Sequence, residues 1–151
     1  MTEPEYDAWQ QRSLREYAAE HVAAGNWTAD EAMQQAEAQT AELLPDGFAT
    51  ERMVFLTAID ADGAVVGRVW VSLDHPRGAA DCAWIYDIEV EAARRGEGYG
   101  RLLLGAAESA VRDRGVGAIM LNVFGTNDRA IGLYESSGYD TVTRQMRKSL
   151  R

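Results

Sequence analysis

The sequence predicts a mixed α/β domain, and three features of the 151-residue chain support that prediction. Segments with helical periodicity and strand-like apolar runs follow one another in the order ααβββαβαβ. Glycines recur at alternate positions between the third strand-like run and the next helix. No repeat, low-complexity segment or linker divides the chain, and its length suits one domain. We therefore expect a single domain over residues 1–151, with helices on both faces of a mixed sheet.

The first third of the chain predicts two helices. Residues 6–24 form the first, and Gly25-Asn26 supplies its stop. Its apolar positions share one face at helical spacing: Leu14, Tyr17, Ala18, His21 and Val22. The segment Thr28-Ala-Asp-Glu31 has the form of a capping box, and the second helix should run from there to Pro45. Its apolar face comprises Met33, Ala36, Thr40, Leu43 and Leu44.

Strand signals begin after the second helix. Residues 53–59 and 65–73 are rich in β-branched and aromatic residues, and the turn sequence 60–63 between them predicts a hairpin. A third strand is expected over 82–90. Shorter elements complete the chain: a helix over 99–114, a strand over 116–123, a helix over 127–137 and a final strand over 139–150. The buried stripe predicted for the helix at 99–114 is Leu102, Leu103, Ala106, Ala110 and Val111.

The composition excludes several classes of protein. The formal net charge is −9, which disfavours binding to a phosphate backbone, so we expect no nucleic-acid partner. The single Cys82 cannot form an internal disulfide, and with only two histidines in no ligand spacing we expect no metal site. Neither a signal peptide nor an apolar segment near 18 residues is present, so we expect a cytoplasmic protein that does not insert into a membrane.

Gly96, Gly98 and Gly100 lie between a strand and a helix, where their backbone N–H groups can turn towards one point at the positive helix end. An anion such as a phosphate fits there, although a tight turn that needs positive φ angles explains the same glycines. A P-loop requires Lys and Ser or Thr after its last glycine, but Arg101 and Leu102 follow here. The spacing of a dinucleotide-binding fingerprint is also absent.

Several motifs together resemble the GNAT superfamily of N-acetyltransferases. Ile88-Glu-Val90 followed by Arg95-Gly-Glu-Gly-Tyr-Gly100 looks like its signature strand and pyrophosphate loop. The segment 122–127, with Ala130-Ile-Gly-Leu-Tyr-Glu135 and Gly138-Tyr139, resembles its second motif, and 146–150 its last strand. The resemblance is clear over 82–150 and weaker over 53–73. The usual first strand of the family is missing, because the chain begins almost directly with a helix.

The resemblance implies that acetyl-CoA lies in a V-shaped opening between the strands at 82–90 and 116–123. Main-chain groups of Ile88 and Val90 would then pair with the pantetheine arm. The pyrophosphate would be held by the loop residues Arg95, Gly96, Gly98, Tyr99 and Gly100. Asn127 occupies a position whose side chain binds the cofactor in the family, and it is also an ordinary N-cap residue.

The reaction implied by the resemblance is direct acetyl transfer to an amine of a small molecule or peptide, with the helix pair at 1–50 near the acceptor. Tyr134 is the candidate general acid, unless it is only a core aromatic. Asp87 and Glu89, on one face of their strand, are candidate bases, unless they are solvated or paired with Arg. Ten acids against two bases in residues 1–50 favour a cationic acceptor. A non-catalytic acyl-CoA-binding or sensing module is the alternative, and a homodimer remains open.

Overall fold

A computed structural model describes residues 1–150 of the chain. Four α-helices and four strands are formed within that range, with short 3₁₀ turns at Gly47–Ala49 and Ala92–Arg94. In chain order the elements are α1 (Glu3–Ala23), α2 (Ala32–Leu43), β1 (Met53–Ile59), β2 (Val65–Ser72), β3 (Cys82–Val90), α3 (Tyr99–Arg112), β4 (Ala118–Leu121) and α4 (Asp128–Glu135). The predicted mixed α/β class is confirmed.

The four strands form one mixed sheet in the order β1-β2-β3-β4. The first three are antiparallel, as the predicted hairpin requires, and β4 runs parallel to β3. Pairing between β3 and β4 stops at Ile85 and Leu121, although β3 continues to Val90. The two strands therefore part beyond Ile85, and this opening lies where the resemblance implied it.

A β-bulge at Tyr86 sets the orientation of everything after it in β3. Trp70 of β2 pairs with Asp87, whereas the next residue, Val71, pairs with Ile85, so Tyr86 is an extra residue in β3. A bulge shifts the alternation of side chains by one position. Ile85 and, three residues later, Ile88 consequently pack against the same core, and Asp87 faces the other side of the sheet.

The two faces of the sheet carry different cores. One face packs against α3 and α4 through mainly aliphatic side chains, among them Val69, Val71, Leu103 and Leu104. The other face packs against α1 through an aromatic cluster of Tyr6, Trp9, Phe55 and Trp70, joined by Leu44. Helices α1 and α2 meet at small residues, Ala18, Ala32 and Ala36. The expectation of helices on both faces is thus confirmed.

Within residues 1–150 no strand precedes α1, which begins at Glu3, and β1 is an edge strand of the sheet. The N-terminus lies against that strand, where the ammonium group of Met1 donates a hydrogen bond to the carbonyl of Phe55 at 3.4 Å. A side-chain contact stabilises the start of the helix, because the Thr2 N–H donates to the Glu5 carboxylate at 2.7 Å.

The prediction of a final strand over 139–150 is wrong. Residues 140–150 have no regular secondary structure, and Val142, Met146 and Leu150 are exposed. An isolated strand needs a neighbour for its backbone groups and an apolar face to bury. This segment offers no such face, because Arg144 and Lys148 alternate with its apolar residues on one side.

The buried faces of two helices were also predicted with errors. In α3, Leu102 is 65% exposed and Ala106 is exposed, whereas Leu104 and Ala107 are buried. The stripe therefore starts one residue later than the sequence suggested, because the sheet, not the helix alone, selects which of the three consecutive leucines at 102–104 turn inward.

The predicted N-terminus of α2 is wrong as well. That helix begins at Ala32, and the Thr28 hydroxyl donates to the carboxylate of Glu31 at 2.9 Å instead of capping the helix. Met33 is 40% exposed. In α1 the most deeply buried aromatic residues are Tyr6 and Trp9, which precede the predicted face, and Tyr17 lies at the surface.

Candidate active site

Two cavities meet on opposite sides of β3. The larger, of about 250 Å³, lies between α1, α2 and the sheet and contains Trp9, Trp70 and Tyr86 in its wall. The smaller, of about 160 Å³, lies in the opening between β3 and β4, against α4. Tyr86 and Asp87 line both cavities. A molecule in one cavity can therefore approach a molecule in the other at this pair of residues.

Asp87 is held in place by α1. The indole Nε1–H of Trp9 donates to its Oδ2 atom at 3.1 Å. Burial raises the pKa of Asp87 to about 6, since a desolvated carboxylate is disfavoured, and the bond from Trp9 partly opposes that rise. The charges of Glu89 and Glu16 raise this pKa further, and Arg12 lowers it. Asp87 is thus ionised at neutral pH, with a pKa near that of a general base.

Glu89 has a different environment, although it shares a face of β3 with Asp87. The Arg12 guanidinium lies 2.5 Å from its Oε2 atom and also 3.5 Å from Glu91. Arg68 in turn contacts Glu91 at 2.6 Å. These four charged side chains join α1 to β2 and the end of β3. The bulge thus orients both acids towards α1, where one meets an indole N–H and the other a guanidinium.

Tyr134 projects from α4 into the smaller cavity and is 9% exposed. Within residues 1–150 its hydroxyl has no protein hydrogen-bond partner. Burial and the negative charge of Asp87 both raise the pKa of Tyr134, so the hydroxyl keeps its proton at neutral pH. A protonated phenol therefore faces the opening between the strands.

Asn127 caps α4, because its side-chain oxygen accepts a hydrogen bond from the Ala130 N–H at 3.1 Å. The capping role predicted from the sequence is confirmed. Asn127 also lines the smaller cavity together with Ile88. Val90, at the end of β3, accepts a hydrogen bond through its carbonyl from Arg95 Nε at 3.1 Å, so Arg95 folds back on the strand that precedes the loop.

The glycine loop enters α3 with two left-handed residues, Gly96 at φ 93° and Gly98 at φ 89°. The predicted need for positive φ is therefore real at both positions. A Cβ on Gly98 would meet nothing within 4 Å, so the loop borders open space. Within residues 1–150 the amides of Gly98, Tyr99 and Gly100 donate to no protein atom. These free N–H groups at a helix N-terminus fit an anion.

At Gly100 the space is limited by α4. A Cβ there would lie 3.1 Å from Leu133 Cδ2, so the leucine side chain would have to shift slightly.

An ion-pair cluster that the sequence did not reveal fixes the same loop. Arg94 contacts Asp60 at 3.0 Å and Glu97 at 3.2 Å, and its Nη2 donates to the Tyr99 hydroxyl at 2.7 Å. Asp60 belongs to the turn between β1 and β2. The side chain of Tyr99 therefore serves to anchor the loop, and the backbone of Tyr99 remains available to a ligand.

Sequence reasoning also missed the aromatic residues of the larger cavity. Trp9 binds Asp87, and Trp70 stacks on Tyr86 with ring centroids 4.5 Å apart. The spacing of Tyr6 and Trp9, three residues apart, was a signal that these two share a helical face. No local signal pairs Trp9 with Asp87, because the two are 78 residues apart.

The single cysteine, Cys82, lies in the core. It is 6% exposed, and burial raises the pKa of its thiol, which disfavours the reactive thiolate. Within residues 1–150 no cluster of His, Cys, Asp and Glu is arranged to hold a metal ion. None of the helices in that range has the length and apolar character needed to cross a bilayer.

A mixed sheet that opens between two parallel strands beside a glycine loop defines the class of fold, an acyltransferase fold. The chain belongs to the acetyltransferase (GNAT) family, whose profile matches residues 6–139. It is 30% identical to YdgE of Bacillus subtilis, an uncharacterised N-acetyltransferase, over 152 residues that cover 99% of this chain and 95% of that protein.

Solved structures agree with this assignment. YycN of Bacillus subtilis superimposes with a TM-score of 0.88 at 29% identity, covering 100% of this chain and 96% of that one. AAC(6')-Iy, in complex with the bisubstrate analogue CoA-S-monomethyl-acetylneamine, has the same fold, with a TM-score of 0.62 at 17% identity over 100% of this chain and 95% of that chain.

Proposed function

We propose that this acetyltransferase moves the acetyl group of acetyl-CoA directly to an amine of a small molecule or peptide. The observation that carries the proposal is the meeting of two cavities at Asp87, with Tyr134 facing the opening from the other side. Direct transfer needs both substrates together, with a proton acceptor on the amine side and a proton donor on the thiol side. The arrangement of the two cavities supplies both.

The residues on the cofactor side fit acetyl-CoA. Ile88 lines the opening, where β3 has no partner on its β4 side, and its main chain can pair with the pantetheine arm. The loop from Arg95 to Gly100 offers the free amides of Gly98, Tyr99 and Gly100 to the pyrophosphate at the N-terminus of α3. Asn127 can bind the cofactor through its side-chain NH₂ while its oxygen caps α4. When bound, the cofactor supplies the activated acetyl group.

Asp87 is proposed as the general base. An alkylamine with a pKa near 10.4 is almost entirely protonated at neutral pH and cannot attack in that form. Asp87 lines the larger cavity as a carboxylate and can take the proton from the amine nitrogen, whose lone pair then forms the bond to the acetyl carbon. Glu89 remains a candidate, but its pairing with Arg12 makes it less available to a substrate proton.

Tyr134 is proposed as the general acid. When the bond between the acetyl carbon and sulfur breaks, the sulfur leaves as a thiolate that needs a proton. The Tyr134 hydroxyl faces the opening between β3 and β4 and holds its proton because burial and Asp87 raise its pKa. Asp87 thus takes up a proton on the amine side of β3, Tyr134 gives up a proton on the thiol side, and exchange with solvent restores both groups.

The experiment measures binding and transfer separately. Thermal shifts with CoA, ATP and NAD identify the ligand class. The protein is then incubated with acetyl-CoA and a panel of amines, amino acids and peptides, and the free thiol and the acetylated product are measured. The proposal expects stabilisation by CoA alone and product formation with at least one amine. CoA binding without any product would favour the sensing module, and stabilisation by ATP or NAD instead would contradict the proposal.

A further inference from the structure

The larger cavity has a composition that restricts its ligand. Its volume of about 250 Å³ corresponds to roughly eight water volumes, room for a molecule of about eight heavy atoms. Three carboxylates, those of Glu16, Glu20 and Asp87, lie in its wall, and no Lys, Arg or His does. The cavity is therefore small and selective for positive charge.

Aromatic rings line the cavity between its acids. Trp9, Trp70 and Tyr86 form the part next to Asp87, and Tyr17 lies further out, where its hydroxyl donates to Gln39 of α2 at 2.9 Å. Flat rings pack well against an alkyl chain, and their faces attract an ammonium group. This wall suits an aliphatic chain with charged ends better than a sugar or an anionic group.

The acids are spaced along α1. Trp9, which contacts Asp87, gives the position of Asp87 along the axis of α1. Glu16 and Glu20 follow Trp9 by seven and eleven residues. At 1.5 Å per residue, these positions lie about 10 Å and about 16 Å further along the helix axis. Glu16 also lies 3.9 Å from Arg12, but the closest partner of that guanidinium is Glu89. The outer end of the cavity is thus acidic, at a separate position from Asp87.

We propose, on the basis of the acetyltransferase function proposed above, that the acceptor is a small linear diamine or polyamine. Its reacting nitrogen lies at Asp87, its alkyl chain packs along Trp9, Trp70 and Tyr86, and its second ammonium group lies between Glu16 and Glu20. The second charge both binds the acceptor and directs the first nitrogen towards the opening.

The test compares acceptors that differ only in their far end. Hexylamine, diaminohexane and aminohexanoate have the same chain and carry a methyl group, an ammonium group and a carboxylate there. With the wild-type protein, kcat/KM should be about tenfold higher for diaminohexane than for hexylamine, and lowest for aminohexanoate. In a Glu16→Gln/Glu20→Gln variant the ratio of kcat/KM for diaminohexane to that for hexylamine should fall to about one.

A matched variant separates local contact from overall charge. Glu37→Gln/Glu42→Gln removes two exposed acids from α2 that do not line the cavity, and it should keep the preference for the diamine. Equal rates for hexylamine and diaminohexane, or equal loss of preference in both double variants, would overturn the inference alone. Absence of product with every amine would instead overturn the proposed transferase function, and the inference with it.

Discussion

Replacing the buried acid at the meeting point of the cavities should abolish activity and stabilise the fold. Asp87→Asn keeps the size of the side chain and an oxygen that can accept the Trp9 N–H bond, but it removes the charge. Without a base the rate should fall roughly 10²–10⁴-fold. The fold should nevertheless become more stable above pH 6, because the variant no longer holds a desolvated charge.

The size of this stabilisation follows from the pKa of Asp87. The pKa of Asp87 is about 6 in the folded protein, against 3.8 for a solvated aspartate, and a tenfold change in proton affinity corresponds to about 1.36 kcal/mol. Because the folded form binds the proton more tightly, wild-type stability is unaffected below pH 4 and falls as the pH rises from about 4 to 6. The full penalty is about 3 kcal/mol, of which about 2 kcal/mol should develop between pH 4.5 and 7.5.

Urea unfolding of both proteins at several pH values measures the effect. The other titratable groups are common to both proteins, so their contributions cancel in the difference in unfolding free energy between Asp87→Asn and wild type. The change of that difference with pH therefore reports on Asp87. That difference should grow in favour of the variant by about 2 kcal/mol from pH 4.5 to 7.5. A constant difference over this range would show that Asp87 is not a destabilising buried charge. Full activity of the variant would remove Asp87 from the mechanism.

Three further substitutions test the groups around this acid. Trp9→Phe removes the N–H that stabilises the carboxylate and should shift the acidic limb of the kcat/KM profile up by about one pH unit, whereas Trp70→Phe should not shift it. Tyr134→Phe should lower turnover roughly 10²–10⁴-fold with little change in CoA affinity, and wild-type turnover would show that this ring only packs. Gly98→Val should abolish CoA binding. Gly115→Val changes a glycine with a similar positive φ at the other end of α3, so it should cost comparable stability and leave CoA affinity intact. Equal CoA affinities of the two variants would contradict the assignment of the glycine loop to the cofactor.

The geometry of the glycine loop and of the α4 cap could be predicted because their signals are local. The glycines at 96 and 98 reflect positive φ angles within one turn of chain, and the Asn127 cap joins residues three apart. Both features depend on short-range backbone geometry, which residue types such as Gly and Asn indicate directly.

The acceptor side could be predicted only in outline. Which face of α1 is buried depends on its docking against β2 and β3, so Trp9 went unnoticed and Tyr17 was wrongly placed inward. The final strand failed for a related reason. A β-strand forms only when a neighbouring strand pairs with its backbone, and the apolar residues of 139–150 do not indicate such a neighbour.

The bulge at Tyr86 also determines which changes in chain length the protein can tolerate. Deleting Tyr86 would remove the bulge and leave Ile85, Asp87 and Ile88 paired in regular order with Val71, Trp70 and Val69, so each would keep its face while both cavities lost the Tyr86 ring. Deleting Ile88 instead would pair Glu89 with Val69 and turn its carboxylate towards the aliphatic core, at the cost of the fold. Residues 61–63, the exposed tip of the turn between β1 and β2, have no such constraint, whereas Asp60 beside them is held by Arg94. Length variation among functional variants should accordingly collect at residues 61–63 and be absent from β3 after Tyr86.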